Sequence, residues 1–294
     1  MSTWLVAGLL TRRVSLYSLL YNESGLPTVG SPMMNRTQHQ LPILLLLGTL
    51  CQSIPAWLQA EEILVAVASN FHAPMAELAR QFAEQTGHEV VLTQGASGRF
   101  VAQIINGAPY QILLSADQDK PTALAARGLT VPGTQFTYAL GSLMLWSNDP
   151  ELGNLNGDSL VDRRVARIAL ANPRLAPYGR AAVETLTALS LFDETRDRWV
   201  QGENIAQTFQ FVESGNAQLG FVAKSQLVAR GSTALVQAWE IPQALYSPIL
   251  QDAVLLRAGA ECDACRALLD FLRSPATQVL IRDSGYQIPP PELP

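Results

Sequence analysis

Glu62-Ile-Leu-Val-Ala-Val-Ala-Ser-Asn-Phe-His-Ala-Pro-Met-Ala-Glu-Leu-Ala-Arg-Gln-Phe82 changes its periodicity halfway along, and that change decides the fold. Ile63 to Ala68 is continuously apolar and partly β-branched, the composition of a strand covered on both faces of a parallel sheet. Pro74 suits a first helical turn, Met75, Leu78, Ala79 and Phe82 recur on one helical face, and Gly87 supplies the stop. Downstream, Val90-Val-Leu92 reads as a strand, Gly95-Ala-Ser-Gly98 as a tight loop, Phe100, Ile104 and Ile105 as the apolar face of a helix ending near Gly107, and Ile112 to Ser115 as a third strand. The unit returns in mid-chain: Arg167 to Ala171 is a strand, Asn172 to Tyr178 a loop with two prolines, Gly179 to Leu189 a helix and Leu219 to Val222 another strand. Two α/β lobes follow, each a mostly parallel sheet flanked by helices. The long strand-like stretch Phe136 to Trp146 and a second at Gln251 to Leu256 give the chain two crossings between lobes. Lobe one is therefore expected over 61–140 and 251–294, and lobe two over 141–250.

Composition bounds the function. The 294 residues are 48% hydrophobic and 15% charged, enough for ordinary globular cores. The net charge is -5, and no basic stripe could neutralise a phosphate backbone, so a nucleic-acid partner is not expected. Leu41 to Leu50 falls well short of the roughly twenty residues that span a bilayer, but with Met34-Asn-Arg36 before it and Ala60 after it, it fits a secretory signal peptide over 34–60. Residues 1–33 then read as an over-extended translation start. Loss of residues 1–60 removes Arg12, Arg13, Arg36 and Glu23, so an exported chain would keep 17 basic and 24 acidic residues. Cys262 and Cys265 would be its remaining cysteines, and an oxidising compartment favours a disulfide between them. Zinc would need a second ligand pair, which the sequence lacks.

In open α/β sheets a ligand lies beyond the carboxyl ends of the strands, among helix N-termini. Ser69 and Asn70 follow the first strand, Ser97 lies in the Gly95–Gly98 loop, Tyr178 precedes the Gly179 helix, and Glu203-Asn-Ile205 opens another. Each helix start offers unpaired N–H groups and about half a positive charge, so together they can hold a small dianion without Lys or Arg. Taken singly, Ser69, Asn70 and Ser97 could be helix caps, and Gly95 and Gly98 could serve turn geometry alone. Ser69 lies near His72, but no carboxylate is spaced to orient that imidazole as in a hydrolase triad. Phosphate, which carries a proton, would favour a carboxylate acceptor, and the four loops offer only Glu203.

The strings Val67-Ala-Ser-Asn-Phe71, Gly95-Ala-Ser-Gly98, Asn106-Gly-Ala-Pro109, Leu114-Ser-Ala-Asp117, Asn172-Pro173 with Ala176-Pro-Tyr-Gly-Arg180, Gly202-Glu-Asn-Ile205 and Gln251-Asp-Ala-Val254 resemble the periplasmic molybdate-binding proteins of ABC transporters over about 62–289. The resemblance implies a two-lobed periplasmic binding protein of type II with its ligand in the interlobe cleft. It implies molybdate or tungstate as that ligand, held as an oxyanion with no cofactor and no direct cation site. It further implies an ABC permease with its ATPase as partner, a periplasmic location and a monomer. Carried over by position, Ser69, Asn70 and Ser97 would bind from lobe one, and Tyr178 and Ile205, mainly through backbone N–H, from lobe two. Some members place a tyrosine hydroxyl where this chain has Ala223, and Asn70 is the expected substitute. A sulfate or phosphate receptor of the same fold is the alternative.

Export is tested at the N-terminus: sequencing protein recovered from a periplasm should begin at or near Glu61, and a mature chain starting at Met1 would contradict the signal peptide.

Overall fold

The computed structural model describes residues 60–289. The translation start and the signal peptide read from the sequence lie outside those residues, apart from Ala60. The described residues form two five-stranded sheets. The first contains β1 (Glu62–Ala68), β2 (Glu89–Gly95), β3 (Ile112–Leu114), β4 (Phe136–Gly141) and β10 (Ile249–Leu255). The second contains β5 (Leu143–Trp146), β6 (Ile168–Ala171), β7 (Trp199–Gly202), β8 (Leu219–Ala223) and β9 (Ala238–Glu240). Their orders, β2-β1-β3-β10-β4 and β7-β6-β8-β5-β9, follow one plan. In each, a parallel trio accepts one reversed strand, β10 against β3 and β4, and β5 against β8 and β9.

The apolar runs behave as double-sided strands must. Ile63, Val65 and Val67 point into a core with Phe71, Met75, Leu78 and Phe82, while Ala66, from the opposite face of β1, packs with Phe100, Ile104 and Leu113. Strand β6 repeats this, Ile168 and Leu170 facing one cluster and Ala169 another, with Trp146 and Val212. Helices α1 (His72–Thr86), α2 (Ser97–Ile105), α3 (Asp119–Ala125), α4 (Pro177–Ala188), α5 (Ile205–Glu213), α6 (Lys224–Arg230), α7 (Asp263–Arg273) and α8 (Pro275–Asp283) supply the covering layers. Gly87 ends α1 at φ 78°, a left-handed conformation that glycine adopts without steric cost.

Three local readings are refined. Phe136 to Trp146 is not one strand: β4 ends at Gly141 in the first sheet and β5 begins at Leu143 in the second, so the crossing occupies Ser142. The Gly95–Gly98 loop shrinks to Ala96, since Gly95 closes β2 and Ser97 opens α2. Helix α4 starts at Pro177, whose fixed φ and missing N–H suit that position, so Tyr178 lies inside the first turn. Cys262 and Cys265 are joined in a disulfide, with Cys262 as the N-cap of α7.

Helix α4 approaches its own sheet very closely. A Cβ on Gly179 would come within 2.1 Å of the Ala171 carbonyl oxygen, and a main-chain atom cannot rotate away as a side chain can. Gly179→Ala should therefore destabilise the fold by about 1–3 kcal/mol, the usual cost of overpacking, visible as a lower thermal midpoint.

Candidate functional site

The carboxyl ends of β1, β2 and β6, and the loop after β7, converge on one small cavity of about 10 Å³. Its wall includes Ser69, Asn70, Ser97, Tyr178 and Ile205, so all five residues singled out from the sequence meet there. The remaining lining is Ala68, Gly95, Ala96, Ala116, Ala176, Pro177 and Asn204. No charged side chain is among them. The space lies below the roughly 300–1,000 Å³ of pockets for larger organic ligands.

Helix-start chemistry fills this wall with donors. Ser97, Tyr178 and Ile205 lie in the first turns of α2, α4 and α5, where an N–H has no carbonyl one turn earlier. Among the described residues these three N–H groups, and that of Asn70, have no hydrogen-bond partner, although their neighbours do: Phe71 N–H donates to Ala68 O at 2.8 Å, Gly98 N–H to Leu175 O at 2.9 Å and Gly179 N–H to Ala176 O at 2.9 Å.

Side chains complete the set. Ser97 is buried, and its Oγ accepts the Ala116 N–H at 3.0 Å, which leaves its own proton free to donate. The Ser69 hydroxyl has no partner among the described residues, while Ser69 N–H is tied to Gly95 O at 3.0 Å. Neither serine caps a helix: the cap of α1 is Phe71 and that of α2 is Ala96, and neither makes a side-chain capping bond. The true side-chain cap is Asn204, whose Oδ1 accepts from Ala206 and Gln207 N–H, leaving Ile205 N–H for the cavity.

Asn70 is held differently from the sequence reading. Its amide donates to Gln251 Oε1 at 2.8 Å and to the Tyr286 hydroxyl at 3.0 Å. Both amide protons are thus used, and main-chain N–H is the donor Asn70 has left. Gln251 also donates to the Tyr178 hydroxyl at 3.2 Å and accepts from Tyr138 at 3.1 Å. The Tyr178 ring therefore points towards the crossing strands, where a Cβ on Gly141 would lie 2.1 Å from its oxygen. Burial pushes the Tyr138, Tyr178 and Tyr286 hydroxyls above the ordinary phenol range, so all three stay protonated. Gln251 opens the quoted string Gln251-Asp-Ala-Val254, whereas nothing in the local sequence flags Tyr138 or Tyr286.

The two halves touch across the cavity's rim. Besides the Gly98–Leu175 bond, Arg180 donates to Asp119 at 2.8 Å and Arg99 pairs with Glu203. The Arg180 guanidinium holds the Asp119 carboxyl below its usual range. Glu203, the carboxylate that would accept a hydrogen bond from a protonated phosphate, is thus on the rim and engaged. Burial lowers the His72 pKa. Among the described residues no His, Cys, Asp and Glu group is arranged to hold a metal ion, and no helix is long and apolar enough to cross a membrane.

The profile of the bacterial extracellular solute-binding proteins matches residues 63–287. The chain belongs to that family. The molybdate-binding protein ModA of Azotobacter vinelandii is 45% identical over 228 residues, 78% of this chain and 90% of its own length. ModA of Rhodobacter capsulatus is 43% identical over 227 residues, 77% of this chain and 88% of its own. The solved Azotobacter vinelandii periplasmic molybdate-binding protein superposes with a TM-score of 0.74 at 38% identity, over 78% of this chain and all of that one. The resemblance read from the seven strings thus holds across most of this family member, and the two-lobed α/β architecture with it.

Because the Tyr178 hydroxyl meets Gln251 rather than the cavity, Tyr178→Phe should weaken anion binding by no more than about 1 kcal/mol, the net value of one neutral hydrogen bond. Titration calorimetry of the folded variant measures this.

Proposed function

We propose that this protein captures molybdate in the cleft between its lobes and delivers it to an ABC permease driven by its ATPase. The observation that carries the reading is the convergence of four unpaired main-chain N–H groups and two serine hydroxyl protons on one cation-free cavity. Donors without acceptors suit a fully deprotonated tetrahedral dianion. The ModA relatives, 45% and 43% identical, are named for molybdate.

Ser69 and Ser97 donate through hydroxyls, and Asn70, Ser97, Tyr178 and Ile205 through main-chain N–H. Hydrogen bonds to a charged group contribute about 1.5–3 kcal/mol each, so six of them offset the desolvation of a small dianion. Binding across both lobes favours the closed form, and the permease reads that form. No bond is made or broken, no cofactor takes part, and molybdenum is bound only inside its oxyanion. Tungstate, nearly the same in size and shape, fits the same donors, while cavity size discriminates against sulfate. The protein works in the periplasm as a monomer, after export by the 34–60 signal peptide.

Calorimetry of the mature protein against molybdate, tungstate, sulfate and phosphate tests the assignment: molybdate or tungstate should bind tightest, and a preference for sulfate or phosphate would overturn it. Ser69→Ala and Ser97→Ala should each weaken binding roughly ten- to a hundredfold, the loss of one charge-assisted bond. Folded serine variants with parental affinity would remove those hydroxyls from the site.

A further inference from the structure

Behind the anion cavity, two hydroxyls distant in sequence meet on one carbonyl oxygen. The Asn70 main-chain carbonyl accepts the Ser225 hydroxyl at 3.0 Å and the Tyr286 hydroxyl at 2.7 Å, and the two hydroxyl oxygens lie 3.0 Å apart. Ser225 belongs to α6, which follows β8 of the second sheet. Asn70 follows β1 of the first sheet. Tyr286 is fastened to that same half, because Gln287 and Leu140 of β4 exchange both main-chain hydrogen bonds, at 2.8 and 3.0 Å. All three residues are buried. The turn before Tyr286 also rests on the opposite half: at Gly285, φ 93°, a Cβ would lie 2.8 Å from Val228 Cγ2.

We propose that Ser225 and Tyr286 form an interlobe latch on the Asn70 carbonyl, acting as positioning residues that prolong the closed, anion-bound state. The inference rests on the binding function proposed above. A carbonyl oxygen has two lone pairs, and here one is filled from each half of the molecule. Opening would withdraw the Ser225 hydroxyl, while the Tyr286 hydroxyl stays on Asn70 and keeps its loop, and the Asn70 N–H, in place. Ser225 therefore acts on the closed state alone. Tyr286 acts on both, because it also accepts an Asn70 amide proton. Neither residue lines the cavity, so neither needs to touch the anion.

Stopped-flow kinetics separates these roles, using whichever of molybdate, tungstate, sulfate and phosphate the parent protein releases most slowly. Ser225→Ala should raise the dissociation rate roughly two- to tenfold, the net value of one hydrogen bond. Its association rate and the unliganded melting temperature should stay at the parental values, as a general packing defect would not allow. Ser225→Thr, which keeps the hydroxyl and can place its methyl group towards the neighbouring groove, should restore slow release. Tyr286→Phe should lower affinity further, and the double variant should fall short of the summed effects. A Ser225→Ala protein releasing the anion at the parental rate would overturn the latch. A parent that preferred sulfate or phosphate would instead contradict the functional reading, while the ratio of the two rates would still decide the latch.

Discussion

An N–H in the first turn of a helix has no acceptor within its own helix, and this protein's candidate site is an arrangement that brings such groups together. Three helices end a strand-to-helix connection at the same place, and each leaves a donor facing the cavity. The constraint reaches back into the fold. The helices must start at the carboxyl edges of the sheets, so the strands must run parallel there. Parallel strands in turn must be covered on both faces, which is why Ile63 to Ala68 and Ile168 to Ala171 are apolar without alternation.

Around those donors the remaining polar groups are paired among themselves. Ser97 spends its lone pair on Ala116, Asn204 caps α5, and Asn70 is tied to Gln251 and Tyr286. Each pairing fixes an orientation and leaves a particular proton unpaired. Preorganisation of this kind reduces the ordering that binding would otherwise require. Among the described residues, Arg99 with Glu203 and Arg180 with Asp119 form ion pairs across the rim.

Much of this was legible in the sequence, for identifiable reasons. Strands β1 and β6 announce themselves by unbroken apolar runs, α1 by its Pro74 and Gly87 punctuation, and the five cavity residues by lying just after strands. The reversed strands β5 and β10 were harder, since periodicity carries no direction. The polar cluster behind the cavity was invisible for another reason. Asn70 meets Ser225 across 155 residues, Gln251 across 181 and Tyr286 across 216. No short motif encodes such contacts. A lone tyrosine near a C-terminus looks like any other partly apolar side chain until the fold brings it to Asn70.

The absence of a cationic side chain from the cavity wall has a kinetic consequence. Many anion receptors draw their ligand in with a positive funnel, and their association slows as salt screens that attraction. Here an exported chain would keep 17 basic and 24 acidic residues, and the favourable field at the cavity wall comes from backbone dipoles that fade within a turn of the helix end. A dianion approaching from afar meets net repulsion, and attraction begins only at contact. Added electrolyte should then ease the approach rather than impede it, so capture by this protein is suited to salty surroundings in which a charge-steered receptor would lose its advantage.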